Sequence, residues 1–189
     1  MEYEFLLGGS PAGWAVVMDR TLDLEIMTIS IREGTERDVA LILDFIRQLA
    51  EYERLEHEVS ATEEGLRETL FGHRPAAEVL LAEVDGESAG FAVHFGTYST
   101  FAGKPGIYLE DLYVKPHLRG AGVGSALLRR VAQIAVERGC GRVEWGVLDW
   151  NAPSISFYRS LGAEALDQWT KYRLAGEALE RLASGGAGA

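Results

Sequence analysis

The sequence is poor in cysteine and in positive charge. Its one cysteine, Cys140, cannot form an internal disulfide, which is typical of a reducing compartment. The lysines and arginines number 18 against 29 aspartates and glutamates, and the net charge of −11 disfavours nucleic acid as a partner. An acidic balance favours cationic small molecules, although it also serves simple solubility. No apolar run of about 18 residues is present, so we expect a cytoplasmic protein without a membrane span.

Length and composition predict one main domain with short extensions. The chain has 189 residues, of which 47% are hydrophobic and 25% charged, enough for one sizeable core. We assign the domain to residues 27–183. Residues 1–26 are expected to be a flexible N-terminal extension, and residues 184–189 a flexible tail. The alternative for the extension is a short extra strand or an oligomer contact through Phe5, Trp14 and Val17.

The hydrophobic pattern predicts a mixed sheet covered by helices. Apolar residues recur at three- and four-residue steps from Val39 to Tyr52 and from Val123 to Glu137, which is typical of amphipathic helices. Asp85-Gly86 predicts a tight hairpin, since both residue types tolerate a positive φ. Helix caps are expected at Thr35, Thr62 and Asn151. The strands are expected at Ile29 and Ile31, Glu78–Val84, Ala89–Gly96, Ile107–Val114, Val143–Leu148 and Trp169–Leu174.

The most informative segment is the glycine run from Arg119 to Gly124. It leads into an apolar helix, so the free N–H groups of the helix start can approach a phosphate without interference from Cβ atoms. We therefore interpret the run as a diphosphate cradle. A P-loop is excluded because Gly124-Ser125-Ala126 lacks the lysine, and a dinucleotide fingerprint would need a glycine at Ser125.

Two segments carry a family resemblance when they occur in this order. The first is the strand Tyr108–Val114 with the glycine run behind it, and the second is Trp150–Tyr158. Together they resemble the GNAT superfamily of acetyl-CoA-dependent N-acetyltransferases, and within it the diamine (spermidine/spermine) and thialysine branch. The resemblance covers residues 27–183. It implies an α/β (α+β) fold whose mixed, mostly antiparallel central sheet is splayed at the acetyl-CoA site and flanked by helices.

The resemblance also implies acetyl-CoA as co-substrate and no metal. Backbone N–H groups of Leu112, Tyr113 and Val114 would hold the pantetheine arm and polarise the thioester carbonyl. Asn151 and Ser154 match coenzyme-contacting positions, with plain helix capping as the alternative. The residues expected at the diphosphate end are Arg119, Gly120, Ala121, Gly122, Val123, Gly124 and Ser125.

Acetyl transfer to an amine calls for a base and an acid. A free alkylamine has a pKa of about 10.4 and is protonated at pH 7, so a positioned carboxylate that takes up its proton is valuable. The resemblance assigns that role to Glu110, directly or through water, the alternative being a solvent-facing strand carboxylate. Strand alternation predicts that Asp111 points to the opposite face, away from the cleft. The resemblance assigns Tyr158 as the acid for the leaving sulfur, the alternative being an aromatic core residue.

The expected acceptor is the primary amine of a small molecule, either a diamine or polyamine or a lysine-like amine such as thialysine. The resemblance points to Tyr52 and Glu53 as substrate-binding residues beside Glu110, with a solvated helix end as the alternative. Ser99 and Phe101 depart from the polyamine enzymes and favour the thialysine type. Transfer is expected to be direct, because no Cys or Ser beside a His-like base offers a covalent relay.

Other readings of the function remain open at the level of sequence. One is acetylation of protein N-termini or lysines, and another is a non-catalytic acyl-CoA-binding sensor. The resemblance further implies a homodimer that binds neither nucleic acid nor a membrane.

Overall fold

A six-stranded sheet organises the first part of the chain. The computed structural model describes residues 14–16 and 27–185, and the chain divides into two compact units, Met1–Gly146 and Val147–Ala189. The strands lie across the sheet in chain order, and neighbours are antiparallel except β5 and β6, which are parallel. This confirms the predicted mixed, mostly antiparallel sheet. The strands are β1 (Trp14–Val16), β2 (Met27–Glu33), β3 (Glu78–Val84), β4 (Glu87–Ser99), β5 (Lys104–Val114) and β6 (Val143–Trp145).

Helices flank this sheet and also form the second unit. In the first unit they are α1 (Val39–Glu53), α2 (Glu63–Phe71) and α3 (Val123–Glu137). In the second unit they are α4 (Ala152–Ser160) and α5 (Gly176–Ala183). None of the helices in the described ranges is both long and apolar enough to cross a membrane.

Local side-chain chemistry fixes where the first helices begin. The Thr35 N–H and hydroxyl both donate to Asp38 Oδ2 at 2.8 Å, which is the predicted acidic box ahead of α1. The Arg32 guanidinium bonds the same carboxylate and holds the pKa of Asp38 well below its usual range. Thr62 Oγ1 accepts the Gly65 N–H at 3.1 Å and caps α2. The start of α1 is thereby tied to β2.

The predicted hairpin joins β3 to β4. Asp85 and Gly86 have φ of 52° and 85°, the left-handed conformation that a type I′ turn needs at both central residues. Asp85 Oδ1 accepts the Thr28 N–H at 2.9 Å, and the Asp85 N–H donates to the Thr28 carbonyl at 3.0 Å. The turn is therefore held by β2 as well as by its own strands.

The core lies on both faces of the sheet. The Phe45 ring of α1 stacks on Phe91 with centroids 5.4 Å apart, and truncating such a buried ring costs roughly 3–5 kcal/mol. On the opposite face α3 contacts β2, β3, β4 and β5. The α1-facing cluster consists of Ile42, Phe45, Val79, Leu81, Phe91, Val93 and Tyr113. Helix α3 buries Val123, Leu127, Leu128, Val131, Ile134 and Ala135.

Two strand predictions near the C-terminal end need correction. The strand expected at Val143–Leu148 ends at Trp145. The closing strand expected at Trp169–Leu174 is wrong, because within residues 27–185 this segment is neither helix nor strand. Trp169 and Tyr172 are 75% and 93% exposed. Aromatic and β-branched residues favour a strand only where a neighbouring strand and a half-buried face receive them.

The N-terminal extension contributes one short strand. Strand β1 pairs with the beginning of β2, with Trp14 opposite Ile29 and Val16 opposite Met27. The alternative of a short extra strand therefore holds for these three residues. The expected flexibility of the other residues before 27, a contact through Phe5 and Val17, and most of the expected tail lie outside the described residues. The domain limits 27–183 stay a prediction.

Candidate active site

A β-bulge interrupts β5 at the predicted base. Val93 of β4 stands opposite Asp111, whereas the next residue, His94, stands opposite Leu109. Glu110 therefore has no partner residue across this ladder, which is the definition of a bulge. Because one extra residue is inserted, the side-chain alternation of β5 changes phase at this point.

Beyond the bulge, one edge of β5 is open. The pairing of β5 with β6 ends at Leu109, opposite Trp145. Within the described residues, 110–114 thus have no neighbouring strand on the β6 side, which confirms the predicted splay. Alternate N–H and C=O groups of a strand point to this side and need partners. On the other side Gly90 lets β4 approach closely, since a Cβ there would collide with the Tyr113 carbonyl oxygen.

The glycine run forms the predicted turn into α3. Gly120 and Gly122 have φ of 81° and 92°, a conformation that residues with a Cβ rarely adopt. Gly122 is the N-cap of α3 and has no side chain to cap the first turn. The helical ladder starts with the Ala126 N–H donating to the Gly122 carbonyl at 2.9 Å. The N–H groups of Val123–Ser125, together with the helix dipole, form a cradle for an anion.

Arg119, the first residue of the glycine run, lies against the end of α1. Its Nε donates to the Val114 carbonyl oxygen at 3.0 Å. Its guanidinium carbon lies 4.2 Å from the centroid of the Tyr52 ring and 5.7 Å from that of the Tyr113 ring. The shorter of these distances is a close cation–π contact. Arg119 thus connects the end of β5 to Tyr52.

The negative charges of Glu53 and Glu110 both act on Asp111, and we name these three carboxyl groups the acid cluster. Burial raises the pKa of Asp111 to about 6, and the negative charges of Glu110 and Glu53 add to the increase. Burial also raises the pKa of Glu53. An incoming ammonium group would offset both the burial and the mutual repulsion, so the acid cluster is suited to a cation.

The end of α1 holds two predicted substrate residues, Tyr52 and Glu53, in a fixed turn. Arg54, the next residue, has a φ of 62° and donates its N–H to the carbonyls of Ala50 and Glu51. The Leu55 N–H donates to the Ala50 carbonyl at 2.8 Å. A non-glycine residue in the left-handed region costs on the order of 1 kcal/mol, and such residues cluster at functional sites.

The remaining predicted site residues belong to the second unit. Asn151 is 5% exposed, and its Oδ1 accepts the Ser154 N–H at 3.3 Å, which makes it the cap of α4. Tyr158 is half-buried, and its ring centroid lies 5.3 Å from that of Phe157. The capping role of Asn151 is confirmed. Coenzyme contacts of Asn151 and Ser154, and the acid role of Tyr158, stay predictions.

A second buried titratable group, His94, lies just across the bulge. Its side chain is 1% exposed, and neither ring nitrogen has a hydrogen-bond partner among the described residues. Burial lowers the pKa of His94. It lines a cavity of about 150 Å³, named here the His94 cavity, beside Glu78, whose carboxylate pairs with Arg138 at 2.5 and 2.6 Å. The other lining residues are Glu33, Gly34, Leu70, Phe71, Pro75, Ala77, Val79, Leu80 and Ile134.

Comparison with known proteins decides the family. The sequence profile of the Acetyltransferase (GNAT) family matches residues 44–163. A thialysine N-epsilon-acetyltransferase of Sus scrofa is 41% identical over 167 residues, which cover 82% of this chain and 98% of that protein. The chain belongs to the GNAT family of acetyltransferases. The L-ornithine N5-acetyltransferase NATA1 of Arabidopsis thaliana is 36% identical over 197 residues, covering 80% of this chain and 86% of that protein.

Solved structures agree on the fold of this GNAT protein. An integron cassette protein from the mobile metagenome of V. cholerae matches with a TM-score of 0.69 at 24% identity. The match covers 82% of this chain and 97% of that one. The predicted GNAT fold and the predicted class, an N-acetyltransferase, are both confirmed.

The residues of this acetyltransferase fit acetyl-CoA, the co-substrate of the GNAT family. The uncapped start of α3 and the positive-φ glycines suit a diphosphate, because no Cβ or capping side chain obstructs the amides. The open edge of β5 after Leu109 suits an extended arm that pairs with backbone groups. In the described part of the chain, no three His, Cys, Asp or Glu side chains are grouped as metal ligands.

The prediction that strand alternation turns Asp111 away from the cleft stays a prediction. Asp111 stands opposite Val93, a member of the α1-facing cluster, and the charges of both Glu110 and Glu53 act on it. The bulge at Glu110 shifts the phase of the alternation on which that prediction relied. The available signal was the adjacent pair of carboxylates. The sequence reasoning missed the contact of Arg119 with Tyr52, since the 66 residues that lie between them in the chain hide it from any local pattern.

Proposed function

We propose that this N-acetyltransferase acetylates a small primary amine that carries a further charged or polar group, as lysine-like amines do. The observation that carries the proposal is that Asp111, in the part of β5 whose edge is open, is buried and feels the negative charges of Glu110 and Glu53. Carboxyl groups whose pKa values are raised by burial gain stability when an ammonium ion joins them. The named activities of the relatives, toward thialysine and L-ornithine, support the same class of acceptor.

Each step of the proposed mechanism has its own residues. Acetyl-CoA supplies the activated acetyl group as a thioester. The N–H groups of Val123–Ser125 bind the diphosphate, and those of Leu112–Val114 align the arm and stabilise negative charge at the thioester oxygen. Arg119, Gly120, Ala121, Gly122, Asn151 and Ser154 complete the proposed coenzyme site. Transfer is direct, without an acylated enzyme residue.

Proton movement is assigned to two side chains. A free alkylamine has a pKa of about 10.4, which is about 3.4 units above pH 7, so the acceptor arrives as an ammonium ion. Ionised Asp111 holds that ion, and a Glu110 carboxylate oxygen, directly or through one water, takes the proton and frees the lone pair. The Tyr158 hydroxyl donates a proton to the departing sulfur, and the second proton that the attacking nitrogen loses as the amide forms returns, directly or through water, to the Tyr158 oxygen. Tyr52 and Glu53 orient the remainder of the acceptor.

The proposal also covers the charge of the ligands, the cellular location and the oligomeric state. The net charge of −11 supports a preference for cationic metabolites over nucleic acid or anionic membranes. One cysteine supports a cytoplasmic location. The exposed Leu166 and Trp169 support a homodimer, because large exposed apolar side chains are typical of interfaces.

An amine panel tests the function. Thiol release from acetyl-CoA is measured with thialysine, lysine, ornithine, putrescine, spermidine, an aminoglycoside and a lysine-containing peptide. We expect turnover with the lysine-like amines at a kcat/KM at least tenfold above that for the peptide. Faster turnover with the peptide would favour protein acetylation, and coenzyme binding without thiol release from any acceptor would favour the sensor; either result overturns the proposal.

The Tyr158→Phe variant tests the assigned acid. We expect kcat to fall about 100-fold with an unchanged dissociation constant for coenzyme A, because only the transferable proton is removed. Tyr172→Phe is the matched control, since Tyr172 is 93% exposed and keeps its ring. An unchanged kcat in Tyr158→Phe would exclude Tyr158 as the acid.

A further inference from the structure

Arg119 is held by two different parts of the first unit. Its Nε is bonded to the last carbonyl of β5, that of Val114, at 3.0 Å, and its guanidinium lies 4.2 Å from the Tyr52 ring. A guanidinium is planar and rigid, so the bond to Val114 also fixes the plane that stacks on Tyr52. Movement at one contact is therefore passed to the other.

Arg119 is followed by residues with little or no side chain. The four residues after it include Gly120 and Gly122, both at positive φ, and the small Ala121. Arg119 is consequently the only residue of the stretch 119–122 with a long side chain, and that side chain reaches α1. A shift of the loop on closing around a diphosphate would act on α1 through this side chain.

Tyr52 is equally well placed to transmit such a shift. It directly precedes Glu53 of the acid cluster, and Arg54 ends α1 in a left-handed turn. The turn is fixed by bonds to the Ala50 and Glu51 carbonyls, so Tyr52 and Glu53 move as one short segment.

We propose that Arg119 is a positioning residue that couples occupancy of the coenzyme loop to the placement of Tyr52 and Glu53 for the acceptor amine. This inference rests on the proposed acceptor role of the acid cluster. It predicts ordered behaviour: coenzyme bound at the glycine run prepares the end of α1 and so tightens amine binding. It differs from a simple phosphate contact, in which the charge of Arg119 would affect the coenzyme alone.

The kinetic test separates these two roles. Arg119→Gln removes the cation, and Arg119→Lys keeps the charge but loses the fork that spans Val114 and Tyr52. We expect Arg119→Lys to raise the amine KM roughly tenfold, and by a larger factor than the coenzyme A dissociation constant, because the lysine keeps the positive charge at the coenzyme site. Tyr52→Leu should raise the amine KM similarly, and Tyr52→Phe should raise it less because the ring that stacks on Arg119 is kept. The Arg119→Lys/Tyr52→Leu double variant should be no worse than either single variant. Arg67→Lys, an exposed change on α2, is the matched control.

A binding readout makes the inference independent of turnover. Hydrogen exchange is followed in residues 50–55 with and without coenzyme A, whose binding is checked by calorimetry. We expect coenzyme A to slow exchange there in the wild type and in Tyr52→Phe, but not in Arg119→Gln or Tyr52→Leu.

Three results would overturn the coupling. They are the absence of coenzyme-dependent protection in the wild type, full protection in Arg119→Gln, and additive KM effects in the double variant. A wild type that acetylates no amine would instead defeat the proposed function, and the exchange measurement would still decide whether Arg119 couples the two regions.

Discussion

Asp111 and His94 lie on either side of one bulge, and burial disfavours the charged form of both, yet their surroundings differ. Asp111 interacts with two further carboxylates next to the open edge of β5. His94 lines a cavity beside a Glu78 carboxylate that is already paired with Arg138. Burial alone therefore shifts a pKa without making a reactive site. Converging charges of one sign at an accessible edge are what demand a ligand.

The largest expected effect is on kcat, and it tests the contrast between the acid cluster and His94. Glu110→Gln should lower kcat about 100-fold or more, because the amine proton loses its acceptor while the coenzyme site is intact. His94→Leu should leave kcat within twofold, since His94 belongs to the other region. Both are measured by thiol release at saturating amine and acetyl-CoA. An equal loss in His94→Leu would show that the two regions do not differ in function.

The second effect is on the free energy of unfolding, which falls when the buried Asp111 of the acid cluster ionises. Asp111 has its pKa raised from 3.8 to about 6, so between these pH values the unfolded chain is ionised and the folded chain holds the proton. The free energy of unfolding therefore falls as the pH rises through this window. At about 1.36 kcal/mol per unit, the loss is about 3 kcal/mol once the pH exceeds 6.

Asp111→Asn should remove that slope and raise the free energy of unfolding at pH 7.5, while it raises the amine KM. Urea unfolding at pH 4.5, 6.0 and 7.5 measures the first effect, and steady-state kinetics measures the second. In the wild type, kcat/KM for the amine should rise as Asp111 ionises near pH 6, and the variant should lack this limb. A variant that is less stable than the wild type at pH 7.5 would contradict the burial argument.

The smallest effect is the opposite slope of His94. Burial lowers the pKa of His94, so below an unfolded value of about 6.5 the unfolded chain binds a proton that the folded chain refuses. The free energy of unfolding should therefore fall as the pH drops below that value. His94→Leu should remove this acid sensitivity and stabilise the protein by about 1 kcal/mol at pH 5.5, since two buried nitrogens without partners are replaced by carbon. Thermal unfolding at pH 5.5 and 7.5 gives the measurement, and unchanged acid sensitivity would mean that His94 does not cause it.

Much of the fold follows from local residue chemistry. The Asp85-Gly86 turn, the caps at Thr62 and Asn151, and the helix after Gly122 all lie where their residues predict them. Each depends on backbone dihedrals or on a hydrogen bond spanning three residues or so, which neighbours in sequence can specify. The Trp169–Leu174 prediction fails for the complementary reason, because a strand depends on a partner elsewhere in the chain.

The candidate site also has some features that the sequence predicts and others that it does not. The glycine run and the paired carboxylates could be identified as chemistry from the chain alone, and the family resemblance gave them roles. The phase change at Glu110 could not be identified, because a bulge is defined by the register between β4 and β5. Without the bulge, alternation would place Leu109 and Asp111 on the same face, whereas they stand opposite the consecutive residues His94 and Val93.

The sequence by itself determined the glycine turn into α3, the turns and caps around the sheet, and the membership of an acetyltransferase family. Only the tertiary structure decided that Asp111 joins Glu53 and Glu110, and that Arg119 stacks on Tyr52. The physical reason is the distance along the chain over which each kind of interaction acts. Dihedral preferences and capping bonds act over a few residues, whereas burial and charge proximity depend on which distant segments the packed sheet brings together.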